Sequence, residues 1–497
     1  VSPFKGLGIN SHTESRAIDD DAGIVGIERR SIDYVPEGER HGRVGDQCPF
    51  WFLSNFHFFA IAIGFVGPSL GLSLGYTALA GTLGILIGTV FLAFHASQGA
   101  ELGLPQMIQS RAQFGYRGVI VPLIGTLISL VGYNVVSTVL VSQGLHTLWA
   151  VNRAAAAILI SSVAAILAIW GYDWLHRTFK FMFWISLPLY TLLTFEIVSG
   201  HLGTDSARVG GFNWPAFVTQ LASAASFNVT SAPYVSDYSR YLPRTTPRGR
   251  IILNVFAGAA LSAIWLIALG AWLATHIGGD DGLLAITQAG DHVASGLGSV
   301  LAAVSITALV ATVGMNAYSS MLTFLTTVDS IRPVRPTRRL RVVVIGAVTL
   351  VWIAVALSFG TDVITYVNGM LVIMLYFLMP WTAVNLIDYF LLRQGRYSIL
   401  DLCRPDGIYG TWGGRGLIAY AVGFAASVPF FVVPNLYTGP VANRLGAVDI
   451  GWLVSLTVAA LTYLLLSQRF DRRSESKAVA ASEHELGIRE HRSKVGD

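Results

Sequence analysis

The sequence predicts an all-α integral membrane fold of twelve transmembrane helices, ten of them in a five-plus-five inverted repeat and two more at the C-terminal end. Three observations predict it: scarce charge, twelve apolar runs of membrane-spanning length, and basic residues confined to one set of loops.

Of the 497 residues, 53% are hydrophobic and only 12% charged, and the mean hydropathy is +0.58. A soluble domain carries about 25% charged residues, so the bilayer is the expected solvent. The net charge of +4 does not call for nucleic acid, because basic residues collect in the cytoplasmic loops of membrane proteins. Cys48 and Cys403 offer neither a disulfide framework nor metal spacing and are read as free thiols. No signal-peptide pattern opens the chain. A polar tail with Asp19, Asp20, Asp21, Arg29 and Arg30 precedes the first long apolar run near Phe50, and a second polar tail, expected to be disordered, follows Arg469.

The apolar runs cover about 50–75, 76–97, 119–147, 154–172, 179–200, 213–236, 250–276, 297–328, 341–359, 363–392, 416–434 and 448–468. A hydrocarbon core of about 30 Å needs roughly 20 helical residues, and backbone polar groups in lipid must be satisfied within the segment, so each run is read as a helix. The alternation of a membrane barrel is absent. Loops 2–3, 4–5, 6–7, 8–9 and 10–11 hold the basic residues, from Arg111 and Arg117 through Arg240 to Arg415. The opposite loops hold only Arg153, Arg208 and Arg444, so with both tails on the first side 30 of the 33 Lys and Arg lie there. That asymmetry places both termini in the cytoplasm of a multi-pass cell-membrane protein. The expected units are a tail (1–49), a first repeat (50–200), a second repeat (201–392), two added helices (393–468) and a C-terminal tail (469–497).

Two spans carry helix-breaking residues at equivalent positions of the two halves. Span 1 reads Ala60-Ile-Ala-Ile-Gly-Phe-Val-Gly-Pro68, and span 6 reads Ala225-Ser-Phe-Asn-Val-Thr-Ser-Ala-Pro233. Pro removes a donor and Gly and Asn tolerate other geometry. Interrupted helices at matching places mark the midplane binding site of many transporters. The expected unwound segment of span 1 is Ala62, Ile63 and Gly64. Gly and Pro are also simply commoner in membrane helices.

Spans 1, 3, 6, 8 and 10 have no charged residue near their centres, which suits a neutral solute. Their central polar residues are Asn55, His57, Tyr133, Asn134, Ser137, Asn228, Thr230, Ser231, Thr312 and Asn316. Tyr133 and Ser137 are four apart and share a helix face. A Tyr ring gives a stacking plate, and an Asn amide sets a donor beside an acceptor, as the edge of a flat heterocycle requires. The competing reading is that Asn and Ser tie helices together and Tyr fills space.

At these residues the chain resembles the nucleobase–cation symporter-1 family, its purine–cytosine permease branch in particular. The resemblance is carried by Leu104-Pro-Gln-Met-Ile-Gln-Ser-Arg-Ala-Gln-Phe-Gly-Tyr116, Gly132-Tyr-Asn-Val-Val136, Gly171-Tyr172 with His176, Asp237-Tyr-Ser-Arg-Tyr-Leu-Pro243, Asn316-Ala-Tyr-Ser319 and Pro380-Trp-Thr-Ala-Val-Asn-Leu-Ile-Asp-Tyr389. It implies a LeuT-like fold in which a bundle of spans 1, 2, 6 and 7 moves against a scaffold of 3, 4, 8 and 9. It implies import of a nucleobase, cytosine or a purine first, by cation symport. Tyr133 sits where the family usually has a stacking Trp, Ser137 where fungal members have a substrate-binding Asn, and Asn316 at the solute-binding Asn of span 8. Asn228 falls near the second aromatic, with Phe227 beside it as the other face of a sandwich. Thr230 and Thr312, from the central polar residues of spans 6 and 8, are further candidates for the pocket. Phe179 stands where fungal members have a Glu. These departures leave open a Na⁺-coupled carrier of hydantoin, allantoin or a vitamin precursor.

The sodium members' span-8 Ser/Thr pair is replaced by Val310 and Ala311, which weakens a Na⁺ site; the coupling cation is H⁺ or Na⁺, with H⁺ the one that the purine–cytosine resemblance implies. His57 is the titratable group in the middle of span 1, a possible proton carrier or a satisfied packing histidine. Asp237 and Arg240, three apart, form a candidate cytoplasmic gate pair. No catalytic residue, metal site or cofactor is expected, since the membrane core has no cluster of His, Asp or Glu and the chain has no nucleotide-phosphate motif. The expected partners are a small heterocycle and the lipid bilayer, not nucleic acid, with the chain a monomer. A channel would want a polar stripe that is not evident; a non-transporting sensor of the same fold stays open.

Overall fold

The computed structural model describes residues 28, 30–202, 210–279, 281–358, 363–433 and 436–488. Asp19, Asp20, Asp21, Arg29 and Arg208, used above, lie outside the described residues.

Among the described residues the regular structure is helical apart from a short hairpin pairing Val432–Val433 with Tyr437–Thr438 and an isolated bridge between Leu72 and Gly211. The principal helices are α1 (Gln47–Asn55), α2 (Phe58–Gly64), α3 (Leu74–Leu102), α4 (Ile120–Trp149), α5 (Arg153–Trp170), α6 (Tyr172–Val198), α7 (Trp214–Val229), α8 (Val235–Ser239), α9 (Arg248–His276), α10 (Gly282–Val293), α11 (Leu297–Ile331), α12 (Arg338–Ser358), α13 (Val363–Leu386), α14 (Gly414–Ser427), α15 (Gly451–Leu466) and α16 (Ser476–Glu485). Large apolar side chains such as Phe181, Trp184, Leu253 and Leu350 face outward, as lipid-facing surfaces require.

By length and apolarity, eight helices among the described residues are able to cross a membrane, or nine if the pair bent by 59° at Val44–Asn55 and Phe58–Ser69 is one span. The other three expected spans are shorter: α7 and α15 have 16 residues each and α14 has 14. α7 stops where Pro233 cannot continue the helix; a 3-10 turn at Ala232–Tyr234 leads into α8. α14 ends before Pro429. The amphipathic α10 was not foreseen. Its start is fixed by Asp281, whose Oδ1 accepts from the amides of Leu283 and Leu284.

The break in span 1 is not at Ala62, Ile63 and Gly64, which are regular helix inside α2. It lies six residues earlier, at Phe56 (φ −92°, ψ 67°) and His57 (φ −150°, ψ 167°). Gly64 instead permits contact between helices. A Cβ there would lie 2.4 Å from the carbonyl oxygen of Ile267 in α9, and one on Gly270 would lie 2.2 Å from that of Ile61. Small residues at a membrane-helix crossing let backbones touch in this way. The break in span 6 falls after Asn228, at Thr230 and Ser231.

Candidate functional site

The broken helix α1–α2 meets α4, α7 and α11 in the middle of the molecule, and three rings stand there nearly parallel. Phe59 stacks on Tyr133 at 4.6 Å between centroids, with 13° between the planes. Phe227 lies 5.8 Å from Phe59 and 6.5 Å from Tyr133, at 14° and 23°. His57 stands edge-on to both Phe59 and Phe227. The three rings form one near-parallel aromatic cluster, with Phe59 set against both Tyr133 and Phe227.

Several buried polar groups on the elements that carry these rings are left with hydrogen-bonding capacity. Ser137 Oγ, both amide atoms of Asn134, Asn316 Oδ1 and His57 Nδ1 are buried without a protein partner. Such groups are costly to bury unless something else satisfies them. Together they offer a hydroxyl, amide donors and acceptors, and an imidazole nitrogen, with no full charge among them.

Other predicted residues are occupied differently. Asn228 accepts from Asn55 Nδ2 at 2.7 Å and donates to Thr89 Oγ1 at 2.6 Å, while Asn55 also donates to the Ala259 carbonyl at 3.0 Å. These bonds knit α1, α3, α7 and α9 together and direct the Asn228 amide into the bundle. Thr230 donates to the Phe227 carbonyl of its own helix at 2.8 Å. Thr312 donates to the carbonyls of Ala308 and, at 3.4 Å, Ser54. His57 Nε2 lies 2.9 Å from that same Ser54 oxygen, which an unbroken helix would offer to a backbone N–H. The imidazole therefore caps the broken end, and its Nε2 is the donor.

Asp237 and Arg240 do not form the expected pair. Asp237 Oδ1 accepts from the Gln106 amide at 3.1 Å. Arg240 pairs instead with Glu28 at 3.3 Å and donates to Tyr318 Oη at 2.9 Å and to the Ser31 carbonyl. Spacing in sequence suggested a local pair; the guanidinium extends the other way, into the N-terminal segment.

Phe59 and Glu28 were missed. Phe59 sits in the aromatic run Phe56-His-Phe-Phe59, where nothing in periodicity separates a pocket wall from packing. Among the described residues no group of three or more His, Cys, Asp or Glu is placed to hold a metal.

Residues 34–455 match a family model described as permeases for cytosine/purines, uracil, thiamine and allantoin. Over 452 residues the chain is 32% identical to YxlA of Bacillus subtilis (strain 168), grouped by name with the purine-cytosine permeases, covering 90% of this chain and 98% of that one. It is 26% identical to the purine-cytosine permease fcyB of Emericella nidulans, covering 90% and 89%. Its backbone resembles that of Mhp1, a nucleobase-cation-symport-1 family transporter in a closed conformation with bromovinylhydantoin bound. The TM-score there is 0.71 at 20% identity, covering 92% of this chain and 99% of the other.

Proposed function

The chain belongs to the family of permeases for cytosine/purines, uracil, thiamine and allantoin, a family of membrane transporters and not of enzymes, and within it we propose that this protein imports a nucleobase, cytosine or a purine, by proton symport with alternating access. The observation that carries the reading is the Tyr133–Phe227 pair, parallel within 23° and 6.5 Å apart, together with unpartnered buried polar atoms on the same elements: Ser137, one turn along α4 from Tyr133, Asn134 and, on α11, Asn316. The rings grip the faces of a heterocycle, worth about 1–3 kcal/mol per base by analogy with nucleic-acid binders. The amides and hydroxyl read its edge, and the absence of a counter-charge favours a neutral solute. Phe59 is the third wall. Asn228, Thr230 and Thr312 shape the pocket from behind.

The proton is the proposed coupling cation for a local reason. The Ser54 carbonyl at the break is taken by His57 and Thr312, and the adjacent α11 positions Val310 and Ala311 carry no side-chain oxygen for Na⁺. His57, buried at the hinge with Nδ1 open, is the group proposed to take the proton. The full topology proposed is twelve crossings with both termini cytoplasmic, α7–α8, α14 and α15 completing the count, and a monomeric unit.

The test is a thermal-shift panel on purified protein with cytosine, adenine, guanine, hypoxanthine, uracil, hydantoin, allantoin and thiamine precursors, each with and without Na⁺. A ligand that binds the folded state alone must stabilise it. Cytosine or a purine should shift the midpoint without Na⁺. A shift confined to hydantoin or allantoin with Na⁺ would replace this reading by the sodium-coupled one. No shift and no competition in uptake would end both.

A further inference from the structure

The described part of the N-terminal segment begins with a carboxylate in a socket built from four other parts of the chain. Glu28 Oε2 takes the guanidinium of Arg341, at the start of α12, at 3.0 Å, and the backbone N–H of Tyr172, at the start of α6, at 3.1 Å. Its Oε1 takes Arg240, just beyond α8, at 3.3 Å, the hydroxyl of Tyr318 on α11 at 2.9 Å, and the hydroxyl of Tyr241. Arg341 also donates to the Glu28 carbonyl. The socket is shaped for this side chain. Gly171 (φ +84°) borders it, and a Cβ there would lie 2.2 Å from Glu28 Oε2.

The chain that follows is fastened down along its length. Val35 N–H donates to the Gly103 carbonyl at 2.9 Å, Arg40 to the Ala100 carbonyl at the end of α3 at 2.6 Å, and Gly42 N–H to the Tyr241 carbonyl at 2.9 Å. The attachment points fall in two groups. Ala100 and Arg240 belong to spans 2 and 6, which the family resemblance places in the moving bundle. Tyr318 and Arg341 belong to spans 8 and 9 of the scaffold.

From this cross-link we infer that Glu28 and residues 30–46 form a strap that holds the bundle against the scaffold at this end of the molecule, with Glu28 as its bolt, and that opening this end requires Glu28 to leave its socket. The charge balance explains why the bolt matters. Arg240 and Arg341 are fully buried, and Glu28 is the acidic partner of each. Burial opposes the charge on Glu28, but Arg341 and Arg240 outweigh it and hold the carboxyl below its ordinary value, so it is ionised. Neutralising it removes the ion-pair partner of both buried guanidiniums, with Arg240 keeping only the through-space attraction of Asp237, which destabilises the closed arrangement far more than loss of an exposed pair.

The inference rests on alternating access, and its test needs no solute, so it stands or falls separately from the nucleobase reading. Ser319 of α11 is buried against Tyr238 of α8, with 3.3 Å between their hydroxyl oxygens, across the same bundle–scaffold contact. In a Cys48→Ser, Cys403→Ser background, a Ser319→Cys thiol reports separation of the two parts through its rate of maleimide labelling in purified full-length protein. Glu28→Gln keeps the shape and removes the charge. It should speed labelling at least about tenfold, the change in open fraction that ~1.4 kcal/mol of lost latch energy gives. Arg341→Gln removes the bolt from the scaffold side and should also speed labelling, and the double variant should add little to the larger single effect, since both act on one contact. Monodisperse elution of each variant guards against misfolding. Labelling unchanged in both single variants, or two accelerations that multiply as independent effects, would overturn the strap.

Discussion

Asn55 Nδ2 donates to Asn228 Oδ1 at 2.7 Å, joining the first half of broken span 1 to the end of α7 just before its own break. The bond ties the two interrupted helices to each other, and Thr89 and the Ala259 carbonyl complete it. Asn228→Ala should therefore act on stability first. It leaves the buried Asn55 and Thr89 short of a partner, at about 1–3 kcal/mol, so the thermal midpoint of the solute-free protein should fall. An unchanged midpoint with lost solute binding would instead return Asn228 to the pocket.

The three rings predict a graded series. Tyr133→Ala and Phe227→Ala each remove one face of the grip and should raise Kd by about 5- to 150-fold, the equivalent of ~1–3 kcal/mol of stacking. Tyr133→Phe keeps the plate and should bind nearly as the parent does. If Tyr133→Phe is as damaging as Tyr133→Ala in a binding isotherm, the hydroxyl and not the ring face is what the solute uses.

Asn316 offers the opposite signature to Asn228. Its Oδ1 has no protein partner, so Asn316→Ala sacrifices no intramolecular bond to that atom. Its thermal midpoint without solute should hold or rise, while solute affinity falls by about tenfold, the upper range for one neutral hydrogen bond. Retained affinity would place the site elsewhere.

His57 is asked to cap Ser54 and to carry the proton, and the two roles separate in His57→Gln. The amide supplies a donor for the Ser54 carbonyl but does not titrate, so solute exchange across a vesicle should persist while accumulation driven by a pH gradient is lost. Gradient-driven accumulation in His57→Gln would move the proton to another residue.

The general architecture was legible because it follows from bulk physics: apolar runs of fixed length and loops sorted by charge. That Tyr133 and Ser137 share one face of α4 follows from a spacing of four alone. What stayed hidden was tertiary. Asn55 and Asn228 are 173 residues apart, and no local pattern says that one amide will spend itself on the other. Gly64 has the same composition signal whether a helix breaks or lets a neighbour approach, and only the position of Ile267 and Gly270 decides. Phe59 is one aromatic among several in an apolar run. Glu28 is one acid in a polar tail, and its importance comes from two arginines more than 200 residues away.

The strap also carries a titrating contact. His41 Nδ1 lies 2.9 Å from the Glu39 carbonyl and its Nε2 lies 3.0 Å from Asp173 Oδ1 on α6. Both neighbours are acceptors, so the ring satisfies both only when protonated on both nitrogens. The rings of Tyr172 and Tyr241 pack against it, Glu28 adds a favourable charge, and Asp46, His176, Arg177 and Lys180 share the adjoining cavity. Partial burial disfavours the charged ring, but the Glu39 carbonyl and Asp173 outweigh it and raise its pKa above the ordinary 6.5. The sign follows from linkage. A raised pKa in the docked state contributes docking that is complete below about pH 6.5 and lost as pH rises through the docked value. His41 is exposed, so the effect is small and salt-sensitive. Hydrogen exchange of the amides at 38–46, corrected for the intrinsic pH dependence, should show protection that declines above that range in the parent protein. In His41→Gln the same amides should be less protected at low pH and show a flat profile. A parent profile as flat as that of His41→Gln would mean that the strap holds without this histidine's charge.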